Sequence, residues 1–262
     1  MSGAAHEPPP TPTPPRQPGE PARAADAAHA PPFERIVFDC DSTLARIEGI
    51  EELSGARRAE IAELTAQAMD GRVPLEEVYG RRLQLVAPRR NDVATVGRRY
   101  IETAVPQARE VMAALKALGK ELRVVSGGLR LAVVTFAGWL GIEDDHVHVV
   151  QAWFDGDGRL TNFDRESPLA RSGGKRQVLA SLPRKRTAFV GDGMTDAEAR
   201  DVIDCFVCYG GVVRRPEVAA LAHAVVNEPN FAALLPALCS PAELAKLKRD
   251  PRHGRLLNPP MS

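Results

Sequence analysis

Arg35–Leu44, "RIVFDCDSTL", is the stretch on which the fold reading turns. Three apolar residues, Ile36–Phe38, read as a buried strand, and the run stops at two aspartates, Asp39 and Asp41. Like charges that close repel, and burial raises the cost of each. A divalent cation is the natural agent to offset that repulsion. A strand that ends in carboxylates also suits an open α/β sheet, where ligands bind beyond the carboxyl ends of the strands.

Working outward, the same arrangement recurs. Leu122–Val125 reads as a strand ending in Ser126-Gly127-Gly128, and Thr187–Val190 as a strand ending in "GDGMTD" at 191–196. Further strands are expected at Cys205–Cys208 and Ala224–Val226, with a hairpin around Gly156-Asp157-Gly158. Helices are expected from Pro106 to Gly119, from the glycines at 127–128 to Trp139, and over Gly174–Leu182, Pro216–Ala222 and Phe231–Leu238. Such alternation predicts an α/β fold, a Rossmann-like doubly wound parallel sheet. Residues 47–104 break the pattern: Leu53, Ile61, Leu64 and Met69 have helical spacing, and two more helices are expected at 75–86 and 93–101. This reads as a small helical insert after the first strand. The sequence thus divides into a Pro-rich head (1–32), a core in two parts (33–46 and 105–238) around the insert, and a C-terminal extension (239–262).

The head carries 10 of the chain's 22 prolines and no aromatic residue, and is expected to be disordered; it lacks the apolar segment of a secretory signal. The last two dozen residues are expected to fray. With 34 basic and 34 acidic residues the chain balances its charge, which argues against nucleic acid or an anionic membrane as partner. No apolar run approaches the roughly 18–20 residues of a membrane span. Cys40, Cys205, Cys208 and Cys239 read as buried small hydrophobes, which places the chain in a reducing compartment, the cytoplasm.

The chemistry follows from the three strand ends. Asp39, Asp41 and Asp192 offer hard oxygen ligands of the kind Mg²⁺ prefers. One carboxylate of the Asp39/Asp41 pair could attack phosphorus while the other handles the leaving-group proton. Ser126, the amides near Gly127-Gly128 and Lys175 could neutralise a transferring phosphoryl group.

Taken in order, "DCDST" at 39–43, "VVSGG" at 124–128, "SGGK" at 172–175 and "GDGMTD" at 191–196 resemble the four motifs of the haloacid dehalogenase superfamily. Within it the chain is similar to the phosphoserine phosphatases, through "DSTLARIEGIEEL", "AMDGRVPLEE", "NFDRESPLARSGGK" and "CYGGVVRRPEV", over about residues 33–230. The resemblance implies a Mg²⁺-dependent hydrolysis of a small phosphomonoester, L-phosphoserine, through an aspartyl-phosphate. It implies Asp39 as nucleophile and Asp41 as general acid and base. Mg²⁺ would sit on the Asp39 side chain, the Asp41 backbone carbonyl and Asp192, and Ser126, Gly127 and Lys175 would hold the phosphoryl group. Thr195 would lie near the phosphate, and Asp196 would brace Lys175 or the water shell of the metal. The insert becomes a cap in which Glu48 binds the substrate ammonium, Arg82 its carboxylate, and Met69 and Leu75 form an apolar lid. Other readings are a phosphatase for another small phosphomonoester, a phosphotransferase with an alcohol such as homoserine as acceptor, and a non-catalytic binding protein on the same fold. The chain is expected as monomer or homodimer.

Overall fold

In the computed structural model, which describes residues 29–69 and 72–257, the chain runs from strand β1 (Arg35–Phe38) into four insert helices. These are α1 (Gly49–Glu52), α2 (Arg58–Met69), α3 (Leu75–Val86) and α4 (Arg90–Glu102). Helix α5 (Ala108–Ala117) returns the chain to β2 (Glu121–Leu129), α6 (Arg130–Trp139) and β3 (Val147–Val150). A hairpin of β4 (Ala152–Phe154) and β5 (Leu160–Phe163) follows, then α7 (Gly174–Ser181), β6 (Thr187–Gly191) and the single turn α8 (Met194–Ala197). The chain continues through β7 (Cys205–Tyr209), α9 (Pro216–Leu221), β8 (Ala224–Val226), α10 (Leu235–Leu238) and α11 (Pro241–Arg249).

Six strands form one parallel sheet in the order β3-β2-β1-β6-β7-β8. Every residue of β1, β6 and β7 is buried, not alternate ones only, so both faces of the sheet are covered. The fold is therefore the α/β doubly wound class. β1 lies at the centre, with Phe38 level with Val124 of β2 and with Val190 of β6. The residues that follow these positions thus emerge side by side at one edge, where strand order reverses.

Several local expectations change. β2 does not stop at Val125 but runs through Ser126-Gly127-Gly128 to Leu129. Its pairing with β3 slips there: Val125 faces His148, while Leu129 faces Val150, so four steps on one strand match two on the other. The extra residues form a bulge, which re-aims side chains and frees amides. Helix α5 starts at Ala108 instead of Pro106, because Gln107 takes a left-handed conformation with φ 65°. The expected helix at 231–238 is a 3₁₀ turn followed by α10.

The C-terminal segment does not fray through its described length. Ser240 caps α11, accepting from the Glu243 amide while the Glu243 carboxylate accepts from the Ser240 amide, a reciprocal capping box. Leu247, His253 and Leu256 are buried. Lys120, itself buried, donates to Glu243 at 2.7 Å and to the Phe33 carbonyl at 2.8 Å, which pins α11 beside the entry to β1. Of the Pro-rich head, residues 1–28 lie outside the described residues. His29–Pro32 are described and docked: the His29 ring stacks on His223 at 3.8 Å, and Arg186 donates to the Ala30 carbonyl. All four cysteines are free and buried. Among the described residues no helix is long and apolar enough to cross a membrane.

Candidate active site

Asp39 is the first residue past β1; its amide donates to the Val190 carbonyl at 2.9 Å, which fixes it to the end of β6. Next comes a tight turn, in which the Cys40 carbonyl accepts from the amides of Leu44 and Ala45. Ser42 takes φ 51° within it. The turn places Thr43 so that its hydroxyl donates to Asp192 Oδ1 at 3.1 Å, and Ser42 so that its hydroxyl donates to Glu48 Oε1 at 2.6 Å. Cys40 is fully buried in the core.

Around this turn lies a cavity lined by Asp39, Asp41, Glu48, Ile50, Leu75, Tyr79, Arg82, Ser126, Gly127, Lys175, Asp192 and Thr195. The structure thus brings to one place ten of the twelve side chains or amides singled out from sequence. Asp196 lies just behind, fully buried. Met69 ends α2, but its side chain lies outside the described residues. The open space is small: about 40 Å³ admits the centre of a water-sized sphere, room for a few waters.

Electrostatics dominate the site. Lys175 donates to Asp196 at 2.6 Å and to Asp39 Oδ1 at 2.9 Å. Burial pulls its ammonium down, but the two carboxylates outweigh that and hold it well above the usual lysine range. Asp196 also accepts from the Gly193 amide at 2.9 Å, so each of its oxygens is engaged. Gly191 must be glycine, since a Cβ there would lie 2.3 Å from the Asp196 carboxyl carbon. Burial, then the Asp39 charge, pushes both Asp41 and Asp192 up to about 6. Asp192 takes partial relief from Arg215, which donates at 3.2 Å. Carboxylate oxygens of Asp39, Asp192 and Asp196 lie within 4.8 Å of one another and could hold a metal ion. Three buried carboxylates against one lysine and one arginine are a hard-oxygen donor set that a divalent cation fits.

Two other charges of the lining lack a counter-ion within ion-pair reach. Arg82 on α3 is 4% exposed; its Nη1 donates to Thr65 at 3.1 Å and its Nε has no hydrogen-bond partner. Burial holds the guanidinium below its usual range. Glu48 has only the Ser42 hydroxyl, and burial, then Asp41, pushes its carboxyl well above the usual value. Among the described residues, no carboxylate lies within ion-pair reach of Arg82, and no cation within reach of Glu48. Thr195 Oγ1 is likewise buried without a partner.

Two tyrosines of the insert were not legible as site residues. Tyr79 lies one turn before Arg82 on α3, with the guanidinium 5.5 Å from its ring centre, and donates to the Gly127 carbonyl at 2.7 Å. The i, i+3 spacing was a usable signal for it. Tyr100 donates to Asp41 Oδ1 at 2.6 Å from 59 residues away, and no local pattern announces it.

Comparison with known proteins agrees with this geometry. Residues 33–200 match the family model "haloacid dehalogenase-like hydrolase". The chain is 34% identical over 211 residues to phosphoserine phosphatase of Bos taurus, covering 78% of this chain and 93% of that one. It is 37% identical over 196 residues to the chloroplastic phosphoserine phosphatase of Arabidopsis thaliana, covering 71% of this chain and 66% of that one, just under two thirds. A crystal structure of a phosphoserine phosphohydrolase-like protein from Francisella tularensis superposes with TM-score 0.69 at 25% identity, over 77% of this chain and 98% of that one.

Proposed function

The chain belongs to the haloacid dehalogenase-like hydrolases, among relatives that are phosphoserine phosphatases, and on that premise we propose that it hydrolyses O-phospho-L-serine to L-serine and phosphate. One observation carries the substrate: Glu48, half-buried, and Arg82, buried, line the same cavity, each without a counter-ion within ion-pair reach among the described residues. A buried charge left unpaired is costly, so a site built this way stores a demand for its complement. Glu48 fits an ammonium and Arg82 a carboxylate, the two charged ends of an amino acid. The phosphate ester then points at Ser126, the Gly127 amide and Lys175.

In this reading the Asp39 carboxylate attacks phosphorus, forming an aspartyl-phosphate, while Asp41 gives its proton to the departing serine oxygen. Asp41, now a carboxylate, takes a proton from the water that cleaves the aspartyl-phosphate. The upward shift of Asp41 to about 6 supports a carboxyl that serves both steps near neutrality. Mg²⁺ fits the donor set and would be held by Asp39, Asp192 and the Asp41 backbone carbonyl; when bound it supplies positive charge to the phosphoryl oxygens. Asp196, with both oxygens engaged, is best placed to brace Lys175. Thr195, with its unpartnered hydroxyl, is placed for the phosphate. Leu75 and Tyr79 close the insert over the cavity, which must open for substrate and then excludes water. Four reduced cysteines support a reducing, cytoplasmic setting.

A substrate panel tests the reading. L-phosphoserine should exceed phosphoethanolamine and sugar phosphates in kcat/KM by at least about tenfold, with Mg²⁺ required. Equal turnover of all three would refute the assignment.

A further inference from the structure

Asp41 is gripped from behind. Its Oδ1 accepts from the Tyr100 hydroxyl at 2.6 Å and from the Gly49 amide at 2.8 Å. No donor among the described residues engages the other oxygen, Oδ2. Tyr100 does not line the main cavity. It lines a second, apolar space behind it, with Ile50, Val93, Val96, Leu129 and Ala132. The tyrosine therefore does not meet the substrate and acts only through Asp41.

Its ring is held by a ladder of aromatics: Tyr100 stacks on Phe136 at 5.5 Å, and Phe136 on Trp139 at 6.0 Å. The contact is tight, since a Cβ on Gly49 would fall 2.0 Å from the Tyr100 hydroxyl oxygen. An aspartate's terminal torsion is broad and nearly two-fold, so an untethered carboxyl turns either oxygen toward the ligand. Two donors on one oxygen remove that freedom.

We infer that Tyr100 is a positioning residue for the proton-transfer step: with Gly49 it occupies Oδ1 of Asp41 and leaves Oδ2 as the oxygen that exchanges protons with leaving group and water. This rests on the phosphoserine phosphatase reading and adds to it. In the first half, the Asp39 O–P bond forms, the P–O bond to serine breaks, and the Oδ2 proton passes to the serine oxygen. In the second, water forms its O–P bond, the Asp39 O–P bond breaks, and the water proton returns to Oδ2. Oδ1 keeps its two hydrogen bonds throughout, so the carboxyl need not rotate between halves.

The test compares leaving groups in Mg²⁺-loaded full-length enzyme, wild type and Y100F. The serine alkoxide needs protonation to depart, whereas p-nitrophenolate does not. Y100F should lower kcat for L-phosphoserine about 10- to 100-fold with KM within about threefold, as loss of an aligned general acid requires. Release of p-nitrophenolate in the first turnover, which needs no proton from Oδ2, should slow less than about threefold, against about 10- to 100-fold for release of serine, while the later hydrolysis of the aspartyl-phosphate slows for both substrates. G49A keeps the tyrosine but drives its hydroxyl off Oδ1, and should show the same contrast; it serves if Y100F does not fold. Equal slowing of first-turnover leaving-group release from both substrates, no loss on either, or a loss confined to KM would overturn the inference. If wild-type enzyme ignores L-phosphoserine, the parent reading fails separately, and the contrast is read between the best alkyl phosphate and p-nitrophenyl phosphate.

Discussion

Replacing Arg82 with methionine should weaken catalysis and strengthen the fold. Methionine keeps the length and apolar stem of the side chain and deletes the guanidinium, which is buried and has an unpartnered Nε. Two charge-assisted bonds to a substrate carboxylate are worth about 1.5–3 kcal/mol each in gross terms. Allowing for the desolvation of the carboxylate, R82M should lower kcat/KM for L-phosphoserine by about 10²- to 10³-fold. Phosphoethanolamine has no carboxylate and should lose less than about fivefold. In the unliganded protein the same change relieves a desolvated cation and an unsatisfied donor, a gain of about 1–2 kcal/mol. Thr65 loses the Nη1 bond, yet its hydroxyl still donates to the Ile61 carbonyl at 3.0 Å. For a chain of this size the gain corresponds to about 3–6 °C in Tm. Steady-state kinetics on both substrates and a calorimetric melt decide the matter. Equal losses on the two substrates would show that Arg82 serves packing, and a lower Tm would refute the gain in stability.

Two further outcomes test the site and the frame around it. In EDTA, Asp41 and Asp192 bind protons more tightly when folded than when unfolded, their pKa values rising from 3.8 to about 6. Their contribution therefore opposes folding increasingly from about pH 4 to 6 and is constant above. Asp196, raised to about 7, and Glu48, also raised, act in the same direction. Melts should fall by at least roughly 2–3 kcal/mol between pH 5 and 7.5, and excess Mg²⁺ should reduce that fall, whereas a flat or rising profile in EDTA contradicts the sign. L247A, in α11, should cost about 2–4 kcal/mol in urea unfolding with kcat unchanged; an unaltered midpoint would mean that the C-terminal segment is not part of the cooperative unit.

How far the sequence could be read depended on the range of each interaction. Asp39, Lys175 and Asp192 were legible because each sits at the end of an element whose periodicity is local, and Ser126 because it closes the apolar run within β2. Their convergence followed from parallel topology alone. Tyr100 was not legible, since its contact with Asp41 is set by how α4 packs on α6 and leaves no trace in nearby spacing. The bulge at Ser126–Leu129 was hidden for a similar reason: register is a property of two strands. The fold of α11 could have been found, because "SPAE" at 240–243 has the serine and glutamate of a capping box with proline at the first helical position. The basic and Pro-rich composition around it drew the reading toward fraying. Lys120 could not have been paired with Glu243 from 123 residues away.

The central place of β1 in the sheet bears on how the chain is made. Its neighbours on either side are β2 and β6, and Asp39 precedes Asp192 by 153 residues. At about 5–20 residues per second, roughly 8–30 s separate the synthesis of the two. Throughout that interval "RIVF" is a strand whose second edge has nothing to pair with, and for most of it the carboxylate beside it has no lysine, since Lys175 follows Asp39 by 136 residues. The residues that define the site are thus committed early and completed late. The nascent chain, more than the finished protein, carries the aggregation hazard of this fold, and chaperone demand should end when β6 docks.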